Sequence, residues 1–228
     1  MNLIRQEEFF SPVKTTDDIH IIGIGAIGSH IAEMLVRMGL TNIHLYDFDT
    51  VDEHNIPNQM YFDAQAVQHL HKITALYDTC KAINPDCIVK LHDKGYILER
   101  TKLSGYVFLC VDSINLRKAI VKEHEFNPMI KALFDFRMGL EDAQHYAADW
   151  KDHKHVEDLL ASMNFTDEEA KEAMPTTACG SALCVLPTIR VITSYGIANW
   201  INYIKTGKLK KVILANAFTY ENMAFPKA

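Results

Sequence analysis

Three glycines in the order Gly23-x-Gly25-x-x-Gly28 follow directly on the apolar residues Ile19, Ile21, Ile22 and Ile24. Glycines at this spacing allow a tight turn, close approach of the backbone to a phosphate, and close packing of a helix on a strand. The helix expected next carries Ile31, Met34, Leu35, Met38 and Leu40 on one stripe. Its N-terminus would offer unpaired N–H groups and a partial positive charge to an anion. Asp47 stands about 20 residues on, at the end of a second apolar run from Ile43 to Tyr46, where such folds place a ribose-binding carboxylate. Strand, glycine turn, helix, strand and acid, in that order, describe a nucleotide site.

After Asp47 the chain departs from a simple dinucleotide fold. It runs through Asp49, Thr50, Val51, Asp52, Glu53, His54, Asn55, Pro57, Asn58 and Gln59, and Pro57 forbids a regular helix there. Such a stretch can be a solvated connector, but a loop of this length beside a phosphate-binding turn favours a function. A further acid, Asp112, closes the near-continuous apolar run Gly105 to Val111. In the doubly wound strand order 3-2-1-4-5, strand four lies beside strand one, which sets Asp112 next to the glycine turn. A bare carboxylate there would repel phosphates unless a cation stood between them, and magnesium takes one or two carboxylates together with phosphate oxygens. Asp112 therefore points to a magnesium–triphosphate site over a nicotinamide site. Read alone, it serves equally well as the N-cap of the next helix, as does Ser113.

The elements that must hold these groups form an α/β pattern: a Rossmann-like, doubly wound, mainly parallel sheet with helices on both faces. Asp63 is expected to cap one helix carrying Ala66, Val67, Leu70, Ile73, Leu76 and Tyr77, with Lys72 near its middle. Cys87 to Leu91, Gly105 to Val111 and Ile130 to Phe136 read as strands three to five. Residues 139–185 form a polar crossover with two short helices, over 151–162 and 167–173. An apolar helix follows over 186–204, then a strand over 211–215. Residues 1–17 read as an N-terminal arm and 18–228 as one domain.

Composition narrows the function classes. A net charge of −6, with KTGKLKK as the one basic run, argues against a nucleic-acid surface. Five cysteines without a spaced framework indicate a reducing compartment. With no membrane-length apolar stretch and no signal-peptide pattern, a cytoplasmic protein without membrane contact is expected.

Residues 21–139 resemble the adenylyltransferases of the ThiF/MoeB type, which are related to ubiquitin-activating enzymes. The resemblance rests on GIGAIGSHIAEMLVRMG, LYDFDTVDEHNIPNQ, His71-Lys72, INPD at 83–86, CVDSINLR at 110–117 and FRMG at 136–139. It implies that Gly23, Gly25, Ala26 and Gly28 approach the phosphates of ATP, with Asp47 on the ribose. It further implies that Asn55 and Lys72 contact phosphates, that Asp112 holds Mg2+, and that the Val111 backbone lies near the adenosine. Asp49, Asn58 and Gln59 fall within the same nucleotide-binding segment. Arg5, in an Ile-Arg-Gln context, would reach the ATP of a partner subunit, which implies a homodimer. Two of the sequence's departures from the family bear on the site. Asn58 stands where the family carries an arginine in Asn-x-x-Arg-Gln, and Arg117 or Arg137 is expected to replace that charge. The paired Cys-x-x-Cys motifs of many members are missing, so no zinc is expected there.

The activity so implied is ATP-dependent adenylation of a carboxylate: the tail of a ubiquitin-like or sulfur-carrier protein, or a peptide. Cys179 lies where related enzymes place a thioester-forming cysteine, and a helix N-terminus would favour its thiolate. Gly180, Ser181 and Ala182 fit an ordinary helix start equally well. Two other readings stand beside this one. Asn58 can mark a scaffold subunit that binds nucleotide or a partner without adenylating anything. The glycine motif with Asp47 also fits a nicotinamide-dependent oxidoreductase, against which the loop after Asp47 and the carboxylate of Asp112 both count.

Overall fold

The computed structural model describes residues 1–176 and 183–225. Eight strands form one sheet in the order β3-β2-β1-β4-β5-β6-β7-β8. Their ranges are β1 Ile19–Ile22, β2 Asn42–Tyr46, β3 Ile88–His92, β4 Gly105–Leu109, β5 Ile130–Met138, β6 Asp142–Asp149, β7 Val212–Asn216 and β8 Asn222–Phe225. The first five pair in parallel, in the expected order, and the last three extend the sheet by antiparallel pairing.

Side chains alternate across the sheet, as strand geometry requires. Ile19, Ile21, Ile43, Leu45, Phe108 and Phe134 join one core. It is covered by α1 (Ala26–Arg37), α3 (Lys72–Ile83) and α7 (Leu186–Thr206). Ile22, Tyr46, Val107, Leu109 and Leu133 face the other way, under α4 (Ile114–Glu123) and α5 (His153–Ala161). Two short helices, α2 (Asp63–Val67) and α6 (Asp167–Ala173), complete the set. Trp200 of α7, fully buried, meets Phe10 at 5.6 Å and Phe108 at 6.1 Å between ring centroids. The N-terminal stretch is thus seated on the core through Phe10. Among the described residues no helix is long and apolar enough to cross a membrane.

Three elements differ from the sequence expectation, one of them β8, where no strand is expected. The single helix expected after Asp63 is broken into α2 and α3, with His69 at a φ of +48° between them. The loop after Asp47 claims the intervening backbone: Val51 N–H donates to Leu70 O at 2.8 Å and Lys72 N–H to Asp49 O at 2.9 Å. Lys72 therefore opens α3 instead of sitting mid-helix. The polar crossover, in turn, begins with a full strand, β6. Its inward face is Ala143, His145 and Ala147. Alternation is present there, but small residues and a histidine carry it, so no apolar signal marks it.

Candidate nucleotide site

The site is built at the carboxyl ends of β1, β2 and β4. Gly23 has a φ of +84°, a conformation side chains rarely adopt, and a Cβ there would lie 2.9 Å from Val111 N. The β1 turn and the end of β4 therefore touch backbone to backbone. A Cβ on Gly28 would sit 2.0 Å from Gly23 O, so α1 can pack this closely only with glycine at that position. Gly25 differs: a Cβ there would meet nothing closer than Gln59 Nε2 at 4.0 Å. A side chain at position 25 would make only this ordinary contact, and the N-terminus of α1, beginning at Ala26, has no side-chain cap. Gln59 Oε1, on the side chain beside Gly25, is buried without a hydrogen-bond partner among the described residues.

Asp47 fixes the turn. Its carboxylate accepts from Ile24 N–H and Asp49 N–H, each at 2.9 Å. Tyr61 donates its hydroxyl to Ile24 O at 2.7 Å, and burial pushes that phenol well above its ordinary range. Asn55 is buried, and its side-chain oxygen closes a capping box by accepting from Asp52 N–H at 3.0 Å. Lys72, also buried, reaches Asp49 Oδ2 at 2.9 Å. The backbone of Asn58 is tied to α1 through His30 Nε2 at 3.2 Å. Burial, reinforced by the charge of Arg190, holds His30 down at about 4, so its ring is neutral.

Asp112 is exposed, immediately after Val111 and beside Gly23. It is not the cap of α4. Ser113 takes that role, accepting from Leu116 N–H at 3.1 Å. The carboxylate of Asp167, at the start of α6, accepts from Ile114 N–H and from the Ser113 hydroxyl. Burial works to raise the Asp167 carboxyl, but these donors, with Asn115, hold it below the ordinary range.

The arginines expected to replace the charge missing at Asn58 are engaged elsewhere. Arg117 binds Asp135 Oδ1 and Val111 O. Arg137 Nε binds Asp135 Oδ2 at 2.7 Å, and its other nitrogens reach Ser162. Asp135 has no exposed surface. A fully buried carboxylate requires such pairing, so these guanidiniums brace β4 and β5 from behind the site.

A model of the ThiF family matches residues 5–132, more than half of the chain. The chain belongs to the ThiF family. Within it, the chain is 32% identical over 117 residues to ubiquitin-like modifier-activating enzyme 5 of Caenorhabditis briggsae, covering 45% of this chain and 27% of that protein. It is 40% identical over 88 residues to the enzyme of the same name from Arabidopsis thaliana, covering 39% and 19%. The chain thus spans less than a third of the length of these curated relatives. In three dimensions it is similar to Escherichia coli MccB crystallised with ATP, at a TM-score of 0.74 and 14% identity, covering 93% of this chain and 64% of that one. PaaA gives 0.68 at 14% identity over the same shares. At these identities the likeness is one of fold.

Of the residues named from the ThiF resemblance, Gly23, Gly25, Ala26, Gly28, Asp47, Asp49, Asn55, Asn58, Gln59, Lys72, Val111 and Asp112 lie at the same end of the sheet. Arg5 does not. Its neighbour Gln6 donates to Met38 O, at the far end of α1, at 2.8 Å. A twelve-residue helix separates that end from the glycine turn by about 18 Å. Cys179 lies outside the described residues. Sequence reasoning missed Asp135, Asp167 and Arg190. Arg190, on α7, brings a guanidinium to the 58–60 segment, with Nη2 3.3 Å from Met60 Sδ. No local signal marks Asp167 and Arg190, which act on segments distant in sequence, and Asp135 joins its neighbour Arg137 to the more distant Arg117.

Proposed function

We propose that this chain binds ATP at the glycine turn and adenylates a carboxylate, that of a ubiquitin-like or sulfur-carrier protein tail or of a peptide. The observation that carries the reading is the uncapped start of α1 at the glycine turn, with the unpartnered Gln59 Oε1 on the side chain beside Gly25. Around it stand acceptors and a cation that suit a nucleotide. Backbone N–H groups from Gly25 to Gly28 would bind phosphate oxygens, Asp47 the ribose hydroxyls, and Asn55 and Lys72 the remaining phosphate charge. Magnesium, when bound, would be held by Asp112 and would neutralise phosphate charge. The substrate carboxylate attacks the α-phosphate in line, a new O–P bond forms, and the bond to pyrophosphate breaks. The chain contributes positioning and charge, with no covalent enzyme step. The names of the relatives support the substrate class: one group activates ubiquitin-like modifiers, and MccB has been crystallised with MccA as well as with ATP. In this reading the protein is a cytoplasmic homodimer, and Arg5 of one protomer serves the site of the other. Any acyl transfer to Cys179 is a second step, which Cys179→Ser would abolish without affecting the first.

One observation favours a second reading, a nucleotide-binding scaffold subunit. Asn58 carries no charge, and both Arg117 and Arg137 are held by Asp135. ATP–pyrophosphate exchange with magnesium and a panel of glycine-tailed proteins and peptides separates the two, with ATP affinity measured alongside. Substrate-dependent exchange that disappears in Asp112→Ala establishes adenylation. ATP binding without exchange across the panel establishes the scaffold, and absence of ATP binding overturns both.

A further inference from the structure

The crevice at the glycine turn is rich in negative charge, and a nucleotide would add more. Asp47, Asp49 and Asp112 bring three carboxylates to it. The cations described so far are already paired: Lys72 with Asp49 at 2.9 Å, and both Arg117 and Arg137 with Asp135. A further guanidinium reaches the loop beside the turn from another element, that of Arg190 on α7.

Arg190 stands against α1 and the loop together. Its Nη2 lies 3.3 Å from Met60 Sδ and its Nη1 3.4 Å from Glu33 Oε2. Met60 is two residues from Asn58, at most about 7 Å along the chain. The loop is fastened to the first turns of α1, with Met60 N–H donating to Ser29 Oγ at 3.1 Å and His30 Nε2 to Asn58 O at 3.2 Å. His30 feels the charge of Arg190, so that charge stands close to the ring that holds Asn58. Gln59, between Asn58 and Met60, extends its side chain to Gly25. Residues 58–60 therefore join Arg190 on one side to the glycine turn on the other.

The guanidinium is tethered there, not locked. A charge-assisted N–H···O bond closes to about 2.7–2.9 Å, so 3.4 Å to Glu33 is a loose pair, and a thioether is a weak acceptor. Glu33 keeps Arg37 on its other oxygen and does not depend on Arg190. The Arg190 side chain is 42% exposed, and its planar fork of N–H donors matches the oxygens of a phosphate. We propose that Arg190 turns from Glu33 onto the outer phosphates of ATP and supplies from α7 the charge that Asn58 lacks. The inference rests on the nucleotide reading above and adds a binding residue to it.

The test titrates the full-length chain with ATP and magnesium and, separately, with AMP, which has no outer phosphates, and follows the melting temperature of each variant. Arg190→Ala should weaken ATP binding about tenfold to hundredfold, the size of a hydrogen bond to a charged group. AMP affinity and melting temperature should stay as in the wild type. Arg190→Lys, which keeps the charge without the fork, should fall between. Asn58→Arg, added to Arg190→Ala, should restore ATP affinity by placing a guanidinium on the loop itself. An Arg190→Ala chain that binds ATP like the wild type, equal losses for ATP and AMP, or no rescue by Asn58→Arg each overturns the inference. Unchanged ATP affinity with lost pyrophosphate exchange also overturns it and assigns Arg190 to the substrate carboxylate. Failure of the nucleotide reading looks different, since the wild-type chain would then bind neither nucleotide.

Discussion

The parallel half of the sheet, β3-β2-β1-β4-β5, and its antiparallel extension, β6-β7-β8, are joined by different kinds of fit. In the parallel half the closest approaches are backbone to backbone: Gly23 against Val111, and Gly28 against Gly23. In the extension, side chains fill space. Phe136, on β5 where it pairs with β6, lies against Gly196 of α7, where a Cβ would come within 2.2 Å of the ring. His145, fully buried, spans Asp135 O at 3.1 Å and Asn199 Nδ2 at 3.2 Å. Tyr203 donates to Asp149 at 2.9 Å. A backbone fit has no substitute, whereas a side-chain fit can be restored by changing its partner.

The largest effect is expected at the seam between the halves. Asp135→Ala leaves one buried and one partly buried guanidinium without their carboxylate and should cost about 3–5 kcal/mol in urea unfolding. Gly28→Ala should follow, at about 3 kcal/mol, and no second substitution should rescue it, because the atom it strikes is a main-chain carbonyl. Gly196→Ala, at about 1–3 kcal/mol, should be partly rescued by Phe136→Leu; a double mutant no more stable than the single would break the contrast. Smaller still is a pH effect shared by both halves. Burial brings His145, like His30, down to about 4 from an ordinary 6.5. The folded chain therefore refuses protons that the unfolded chain accepts. Stability should be constant above pH 6.5 and fall as pH drops towards 4, by about 1.4 kcal/mol per pH unit for each ring. Urea midpoints across that range measure the slope, and His145→Gln should remove one ring's share. The smallest change in stability belongs to Asp112→Asn, within about 0.5 kcal/mol for an exposed side chain, with pyrophosphate exchange lost.

The two halves were also unequally legible. The glycines, Asp47 and the apolar runs announce β1, α1, β2 and β4 because phosphate-binding turns and buried parallel strands leave local marks in sequence. The strand order 3-2-1-4-5 followed from that pattern. β6 escaped because its inward face is Ala143, His145 and Ala147, and β8 because all four of its residues are exposed. The break between α2 and α3 arises from hydrogen bonds to a loop about twenty residues earlier, which periodicity does not encode. The same holds for the pairing of Arg117 and Arg137: Asp135 stands within a hydrophobic strand, and only the tertiary structure shows which cations it binds.

Asp167 carries a consequence for anion choice. Two helices, α1 and α4, begin at the crevice from adjacent strands, and each start carries a partial positive charge. The carboxylate of α6 already occupies the start of α4, so an arriving anion finds one open socket instead of two. The crossover thus meets the positive start of α4 with a carboxylate of its own, while the start of α1 carries no such partner. Asp167→Ala would leave Ile114 N–H at the start of α4 without that acceptor.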